Sequence, residues 1–454
     1  MLFSGKILAQ ILNGCWKDGR ETSVDGVFTD TRRSGTGKLF VALAGEKFDA
    51  HNFLDKAVQS GAAALCVRCG AAVPENIPVI EVEDTLKAYQ ALGAYQKSTI
   101  LNLKTFAVTG SVGKTSVKEM LRAITGSVSS PENVLATEGN TNNHVGVPQN
   151  LLKLEEHHKF AVIEMGMSHA GEILPLTLAA KPDIAIVNSI APCHIEHLGS
   201  LEGIAIEKGT IFRGLPSDGI AVIPAGLEQT ALLEKAAEGR KILYFGTTEN
   251  CDVCADYCGG RLEGSSFKLT FKGIGTFEIS WSLSGRHQAV NASAAAAAAW
   301  GMGIAPEQIC AALPLTVLPG MRSKITRLND VTYINDAYNA NPASMAAALD
   351  YLEESAGKSP LLLLLLGAML ELGEKSSSAH EELLKTACAR FPQAQIFTFG
   401  KPFADAAEKY GVRFFEHPAD AAEEVLSAVG AGSIVFAKGS RGIGVENALP
   451  AEAR

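Results

Sequence analysis

The chain has no excess of basic residues. Lysine and arginine number 40 against 49 aspartates and glutamates, a formal charge of −9 over 454 residues. Broad nucleic-acid binding needs a cationic surface that displaces counterions, so that class is excluded. An anionic ligand has to be met by local positive groups. Long apolar runs are also lacking. Leu361–Leu366 is a run of leucines far short of the ~20 residues a membrane span requires, and it reads as a fully buried parallel strand. Lys6 and Asn13 interrupt any apolar core near Met1, which argues against a signal peptide. The nine cysteines are odd in number and scattered, which suits a reducing cytoplasm. Cys251, Cys254 and Cys258 stand close together. Their surroundings alternate as strands do and no histidine is near, so thiols rather than a zinc site are expected there. No solenoid period is visible.

A chain of this length exceeds one hydrophobic core and suggests three domains. The expected boundaries are 1–84, 85–314 and 315–454. The first contains Val27–Arg33, Leu39–Leu43 and Ala63–Val67, which read as short strands around a helix at about Asn52–Ser60, as in a small α/β domain. The second opens with a helix over Thr85–Lys97. Phe160–Glu164, Ile184–Asn188, Ile220–Ile223 and Ile242–Phe245 then alternate with helical stretches, the mark of βαβ units and a mainly parallel sheet. Residues 251–283 break that rhythm with Gly-separated short strands and read as an antiparallel addition. The alanine run Ala294–Ala299 reads as a buried helix, since alanine combines the best helix propensity with close packing. The third segment repeats the alternation, with strands at Val331–Asn335, Leu361–Leu366, Gln395–Phe399, Val412–Phe415 and Ile434–Ala437. Its helices are expected at Pro342–Glu354, Ala379–Arg390, Pro402–Tyr410 and Pro418–Val429. The fold class is α/β throughout.

The densest chemistry lies in Thr109-Gly110-Ser111-Val112-Gly113-Lys114-Thr115-Ser116, between the apolar run Phe106–Val108 and a helical run from Val117. Glycines let backbone N–H groups close on an anion, and a helix N-terminus adds roughly half a positive charge. Lys114 can reach terminal phosphates and the Thr115 hydroxyl can ligate magnesium. Only two residues separate Gly110 from Gly113, where the usual phosphate loop has four. Glu164 ends a strand on the edge where such a loop sits, either as a magnesium ligand or as an exposed strand-end acid. His194 follows the next strand, as a further ligand or as part of a plain loop. By its own chemistry Lys208 reads as a surface lysine. Arg322 opens the third segment, placed to stabilise phosphoryl charge or to form a linker salt bridge. Asp336 ends a strand and suits ribose hydroxyls. The Asn-rich run to Pro342 also suits a helix cap.

Together these residues resemble the Mur ligase family of peptidoglycan synthesis, over nearly the whole chain and most closely its D-alanyl-D-alanine-adding branch. Thr29-Asp30-Thr31-Arg32 and Leu39–His51 resemble its UDP-sugar-binding segment, with Asp30, Thr31, Arg32, Phe48, Asp49 and His51 as substrate residues. The short phosphate loop matches the family's own spacing. Gly139-Asn140-Thr141-Asn142-Asn143 resembles the loop that meets the muramoyl substrate, through Asn140, Asn142 and Asn143. Glu164 and His194 fall on metal-binding positions, and Lys208 on a lysine that several Mur ligases carry as a carbamate. Gly285–Asn291 resembles the adenine-side motif, with Asn291 toward the nucleotide. Asp336–Pro342, with Asn339 and Asn341, is the run most particular to this branch, and no Asp-Asn-Pro-Arg signature of the diamino-acid-adding branch is present. Lys438–Arg441 with Glu446 resembles the C-terminal segment.

The resemblance implies a UDP-binding N-terminal domain, a central P-loop ATPase-like domain and a C-terminal Rossmann-like domain. It implies a monomeric cytoplasmic enzyme that uses ATP and two magnesium ions, with UDP-N-acetylmuramoyl-tripeptide and D-alanyl-D-alanine as substrates. Lys114, Lys208, His194 and Arg322 would be catalytic, and Thr115, Glu164, His194 and Lys208 would hold metal. A folylpolyglutamate synthase, another amino-acid-adding Mur ligase and a non-ligase nucleotide switch are the alternatives. The chain departs from the family pattern at Val112 and Gln288, each where Asn is frequent, and at Ala368, where many relatives have Asp.

Overall fold

The computed structural model describes residues 3–45, 48–356 and 361–454. Glu46 and Lys47 of the N-terminal motif, and the Met1-Leu2 start, lie outside the described residues. Three sheets of five, nine and six strands follow one another along the chain, so the architecture is the expected three-part α/β arrangement.

The N-terminal sheet is parallel apart from Cys15–Trp16, which pairs antiparallel with Val79–Val82. Neither of those two strands, nor the helix Gly5–Leu12, was legible beforehand. The run at Val27–Arg33 is a strand only over Val27–Phe28. Beyond it Asp30 turns back to accept the Arg32 N–H at 3.0 Å, a local bond that competes with strand pairing. The helix Thr85–Thr99 buries Ala88, Tyr89 and Leu92 in the N-terminal core. Gln96 on the same helix donates to Leu154 O at 2.6 Å, in the following unit.

In the central sheet Lys104–Thr109 lies between Phe160–Glu164 and Ile184–Val187, all parallel. Alternate residues feed two cores. Phe106, Val108 and Ile186 face one side with the alanine helix Arg286–Gly301, whereas Ala107, Ile163 and Val187 face the other. Alanine at 294–299 is fully buried, which lets that helix approach the sheet closely. Residues 253–281 form the antiparallel extension. Cys251, just before it, is buried and Cys258, on its first strand, is exposed; all nine cysteines are free, and no group of three or more His, Cys, Asp or Glu residues placed to hold a metal occurs among the described residues.

The C-terminal sheet is parallel apart from the edge strand Lys324–Leu328, which sequence patterning did not indicate. Leu362–Gly367 is buried along its whole length between two parallel neighbours. The helix expected from Ala379 begins at Ser376, and the strand expected from Val412 begins at Arg413. The last two expected helices open as 3-10 turns, at Lys401–Phe403 and Pro418–Ala421. No helix among the described residues is long and apolar enough to cross a membrane.

Candidate active site

Thr109 is buried at the end of its strand, and the helix Lys114–Ser129 starts directly after Gly113. Gly113 has φ 79° and offers no side-chain cap to that helix. A Cβ there would lie 2.4 Å from both Asn188 Nδ2 and Asn291 Oδ1, so only glycine fits. The loop is held from behind by the neighbouring strand end. Ser111 N donates to Ser189 O at 3.0 Å and Ser111 Oγ to Ala191 O at 2.9 Å. Val112 N donates to Ser189 Oγ at 2.9 Å, and Asn188 Nδ2 donates to Val112 O at 3.0 Å and to Asn291 Oδ1 at 2.9 Å. Gln288 accepts from Asn291 at 3.1 Å. The backbone is therefore fixed while no side chain caps the first turn of the helix, the arrangement that receives phosphate oxygens. Lys114 Nζ folds back onto Gly110 O at 2.6 Å.

Glu164 is the hub. Its side chain is nearly fully buried, and its two oxygens accept from Thr115 Oγ1 and Asn142 Nδ2, each at 2.9 Å. Its backbone N–H donates to Thr137 Oγ1 at 2.9 Å. Asn142 also donates to Asn140 Oδ1 at 3.3 Å. From the C-terminal domain, Arg322 Nη2 donates to Thr115 Oγ1 at 3.1 Å, with its guanidinium 3.5 Å from the Tyr338 ring centroid. The structure thus brings Arg322, Thr115, Glu164, Asn142 and Asn140 into one continuous path across two domains. Asn143 is not part of it, because its Oδ1 accepts Gly146 N at 2.9 Å at the start of the helix Gly146–Leu151.

Lys208 is not the surface residue its own chemistry suggested. It is 1% exposed on the helix Leu201–Gly209, whereas Ile206 on the same helix is 58% exposed. Burial, and next the nearby charge of Lys114, push its ammonium down to about 7. His194 has φ 51° and starts the short helix Ile195–Leu198. Its Nδ1 lies 2.5 Å from Glu371 of the C-terminal domain, a contact that holds the Glu371 carboxyl below its usual range. The preceding Cys193 donates to Ser111 Oγ at 3.2 Å, so this loop touches the phosphate loop.

Asp336 accepts from Ser323 N at 3.0 Å and Lys438 Nζ at 2.6 Å, and Lys438 also donates to Asn339 O at 3.2 Å. Asn341 caps the helix Pro342–Ser355 in a reciprocal capping box with Ser344. Arg441 pairs with Glu446 at 2.5 Å. The N-terminal residues join one another rather than the phosphate loop. Arg32 grips Asp30 through bonds of 2.7 to 3.1 Å, and this partner holds the Asp30 carboxyl down at about 2. Thr31 lies between them. His51 Nδ1 is 2.6 Å from Asp49 Oδ1, and its Nε2 accepts Arg68 N at 3.0 Å. Both ring nitrogens are thereby committed within the protein. Phe48 is 58% exposed and stacks on Phe53 at 5.1 Å, leaving one aromatic face open. Sequence reasoning missed Asn188, Ser189 and Glu371. They contact the site only through folding, although the polar Asn188-Ser189 pair at a strand end was a usable signal.

Residues 108–299 match the Mur ligase middle domain, and residues 321–441 match the Mur ligase, glutamate ligase domain. The chain is 39% identical over 384 residues to the UDP-N-acetylmuramoyl-tripeptide–D-alanyl-D-alanine ligase of Escherichia coli (strain K12), covering 84% of this chain and 82% of that protein. Among solved structures, MurF from Acinetobacter baumannii superposes with a TM-score of 0.91 at 31% identity, covering 99% of this chain and 98% of that one. MurF ligase from Thermotoga maritima in complex with ADP gives 0.81 at 25% identity, covering 93% and 96%.

Proposed function

This chain belongs to the Mur ligase family, and from that premise we propose that it joins D-alanyl-D-alanine to UDP-N-acetylmuramoyl-tripeptide, consuming ATP and releasing ADP and phosphate. The product is a peptidoglycan precursor. The relatives that carry this activity by name match most of the chain, and a structural neighbour binds ADP. The observation that carries the reading is the hydrogen-bonded path Arg322–Thr115–Glu164–Asn142. It ties a nucleotide-type loop to the loop matching the family's muramoyl-contacting segment, and a protein that only hydrolysed ATP would have no use for that link.

A carboxylate is a poor electrophile, so the tripeptide carboxylate first attacks the γ-phosphorus of ATP and ADP leaves. The amine of D-alanyl-D-alanine then attacks the acyl carbon. Phosphate departs with one carboxylate oxygen, and the amine loses a proton as the amide forms. Both partners of the first step are anions. Lys114, the open helix N-terminus and Arg322 offset their repulsion in a partly buried site, where fixed charges count for more than in water. Stacking on Tyr338 orients the Arg322 guanidinium before substrate arrives. Asn291 supports the adenine side, and Asp336, with Asn339 beside it, serves the ribose and acceptor side. Asp30, Thr31, Arg32, Phe48 and Asp49 serve the UDP moiety.

The donors at the hub fit a hard cation, since a threonine hydroxyl and a buried carboxylate already share a hydrogen bond there. Thr115, Glu164, His194 and a carbamylated Lys208 would hold two magnesium ions, which neutralise phosphate charge when bound. Carbamylation needs an uncharged amine: the nitrogen bonds to CO2 and releases a proton. A buried lysine whose ammonium is pushed down to about 7 meets that need. Bicarbonate depletion therefore lowers activity and added bicarbonate restores it, with a larger restoration at pH 8 than at pH 6 because the amine fraction rises through 7. The free cysteines suit a cytoplasmic location, and the enzyme is taken to act as a monomer.

Mass spectrometry of the products formed from UDP-N-acetylmuramoyl-tripeptide, ATP and a panel of acceptors tests the assignment. D-alanyl-D-alanine should be incorporated, with diamino acids and glutamate left unused. Ligation of glutamate would favour a folylpolyglutamate-type enzyme. Phosphate release without any acceptor product would favour a switch.

A further inference from the structure

His194 and Glu371 come from different domains, and both hold the left-handed conformation, at φ 51° and 62°. A non-glycine residue in that region is uncommon and needs surroundings that compensate for it. Here the two are opposed across the interface, with Nδ1 of His194 2.5 Å from Glu371 Oε2. That nitrogen is buried and makes no hydrogen bond of regular geometry among the described residues, so the carboxylate is pressed against an otherwise unmet polar atom. Beside this pair Gly373, at φ 54°, faces Glu196, leaving 3.4 Å for a Cβ. The loop bearing Glu371 thus rests on the short helix that follows His194. The contact occupies Nδ1 and leaves Nε2 as the nitrogen free to ligate. Histidines that ligate metals usually have their second nitrogen held by a carboxylate or carbonyl, which fixes tautomer and ring direction and strengthens the ligand.

We propose that Glu371 is a positioning residue, a carboxylate supplied by the C-terminal domain that sets the tautomer and orientation of His194, so that docking of that domain completes the metal-binding site. The proposal rests on the reading of His194 as a metal ligand. It makes metal affinity depend on a residue of another domain that need not touch metal, nucleotide or peptide.

The test is direct Mn2+ binding to the full chain in the presence of ADP, followed by calorimetry and electron paramagnetic resonance. Glu371→Ala should weaken Mn2+ binding about 10–100-fold, and His194→Ala at least as much. The double variant should bind no worse than His194→Ala alone, because the carboxylate acts through the ring. Glu374→Ala, in the same loop, is the control and should bind as wild type. Wild-type affinity in Glu371→Ala alongside weak binding in His194→Ala overturns the proposal and leaves the metal reading standing. Unchanged binding in His194→Ala overturns both. Should Glu371→Ala not fold, the nitrogen-15 signals of the wild-type His194 ring decide. The Nδ1–H tautomer at pH 8, lost in Glu371→Leu, which keeps bulk but removes the acceptor, supports the proposal. A wild-type Nε2–H tautomer contradicts it.

Discussion

Two strand-to-helix turns in this molecule are built in opposite ways. In the central domain the turn after Thr109 starts its helix with Gly113 and no side-chain cap. In the C-terminal domain the turn after Asn335 starts its helix with Asn341, whose Oδ1 accepts Ser344 N at 2.8 Å while Ser344 Oγ accepts Asn341 N at 3.0 Å. The first turn of any helix has N–H groups without an intrahelical partner. One turn leaves them to a ligand, and the other satisfies the N–H of Ser344 from within the chain. A helix N-terminus is thus informative about anion binding only once its cap is known. The same distinction applies to Asn143, whose Oδ1 accepts the N–H groups of Val145 and Gly146 where another helix begins.

The largest effect that would sharpen this contrast comes from Lys114→Ala. Steady-state kinetics should show ligation slowed on the order of 1,000-fold, while calorimetry finds the UDP-substrate bound nearly as before. Near-normal turnover would remove the open turn from the chemistry. Next comes Arg322. Its replacement by Ala should slow the first step on the order of 100-fold. Replacement by Lys should restore little, because a lysine ammonium neither stacks flat on Tyr338 nor spans to Thr115 as a planar fork does. Full rescue by Lys would reduce the arginine to a simple charge. Gly113→Ala places a methyl 2.4 Å from two amides at a left-handed φ. It should cost about 1–3 kcal/mol of local strain, read as weaker ADP binding and a lower melting temperature. The smallest effect belongs to the capped turn. Asn341→Ala should lower stability by about 1 kcal/mol in chemical denaturation and leave ADP affinity intact.

The phosphate loop was legible because its chemistry is condensed into eight consecutive residues, and the alternating apolar runs marked most strands of the two larger sheets. Short strands such as Cys15–Trp16 and Val134–Ala136 escaped, since two or three residues carry no readable period and neither sits inside a longer apolar run such as the one that marked Leu39–Val41. Lys208 shows the limit most clearly. A helix in which Ile206 is exposed and Lys208 buried reverses the usual pattern, and only the packing around it fixes which side faces inward. The approach of Glu371 to His194 spans two domains, so no local pattern encodes it. The asparagines could not be sorted into caps and ligands, because both uses ask for the same short amide.

The most direct measurement follows oxygen-18 from the tripeptide carboxylate during turnover with ATP and D-alanyl-D-alanine. One labelled oxygen should appear in each phosphate released, because activation passes through an acyl phosphate. Ligation that delivers unlabelled phosphate would contradict the account.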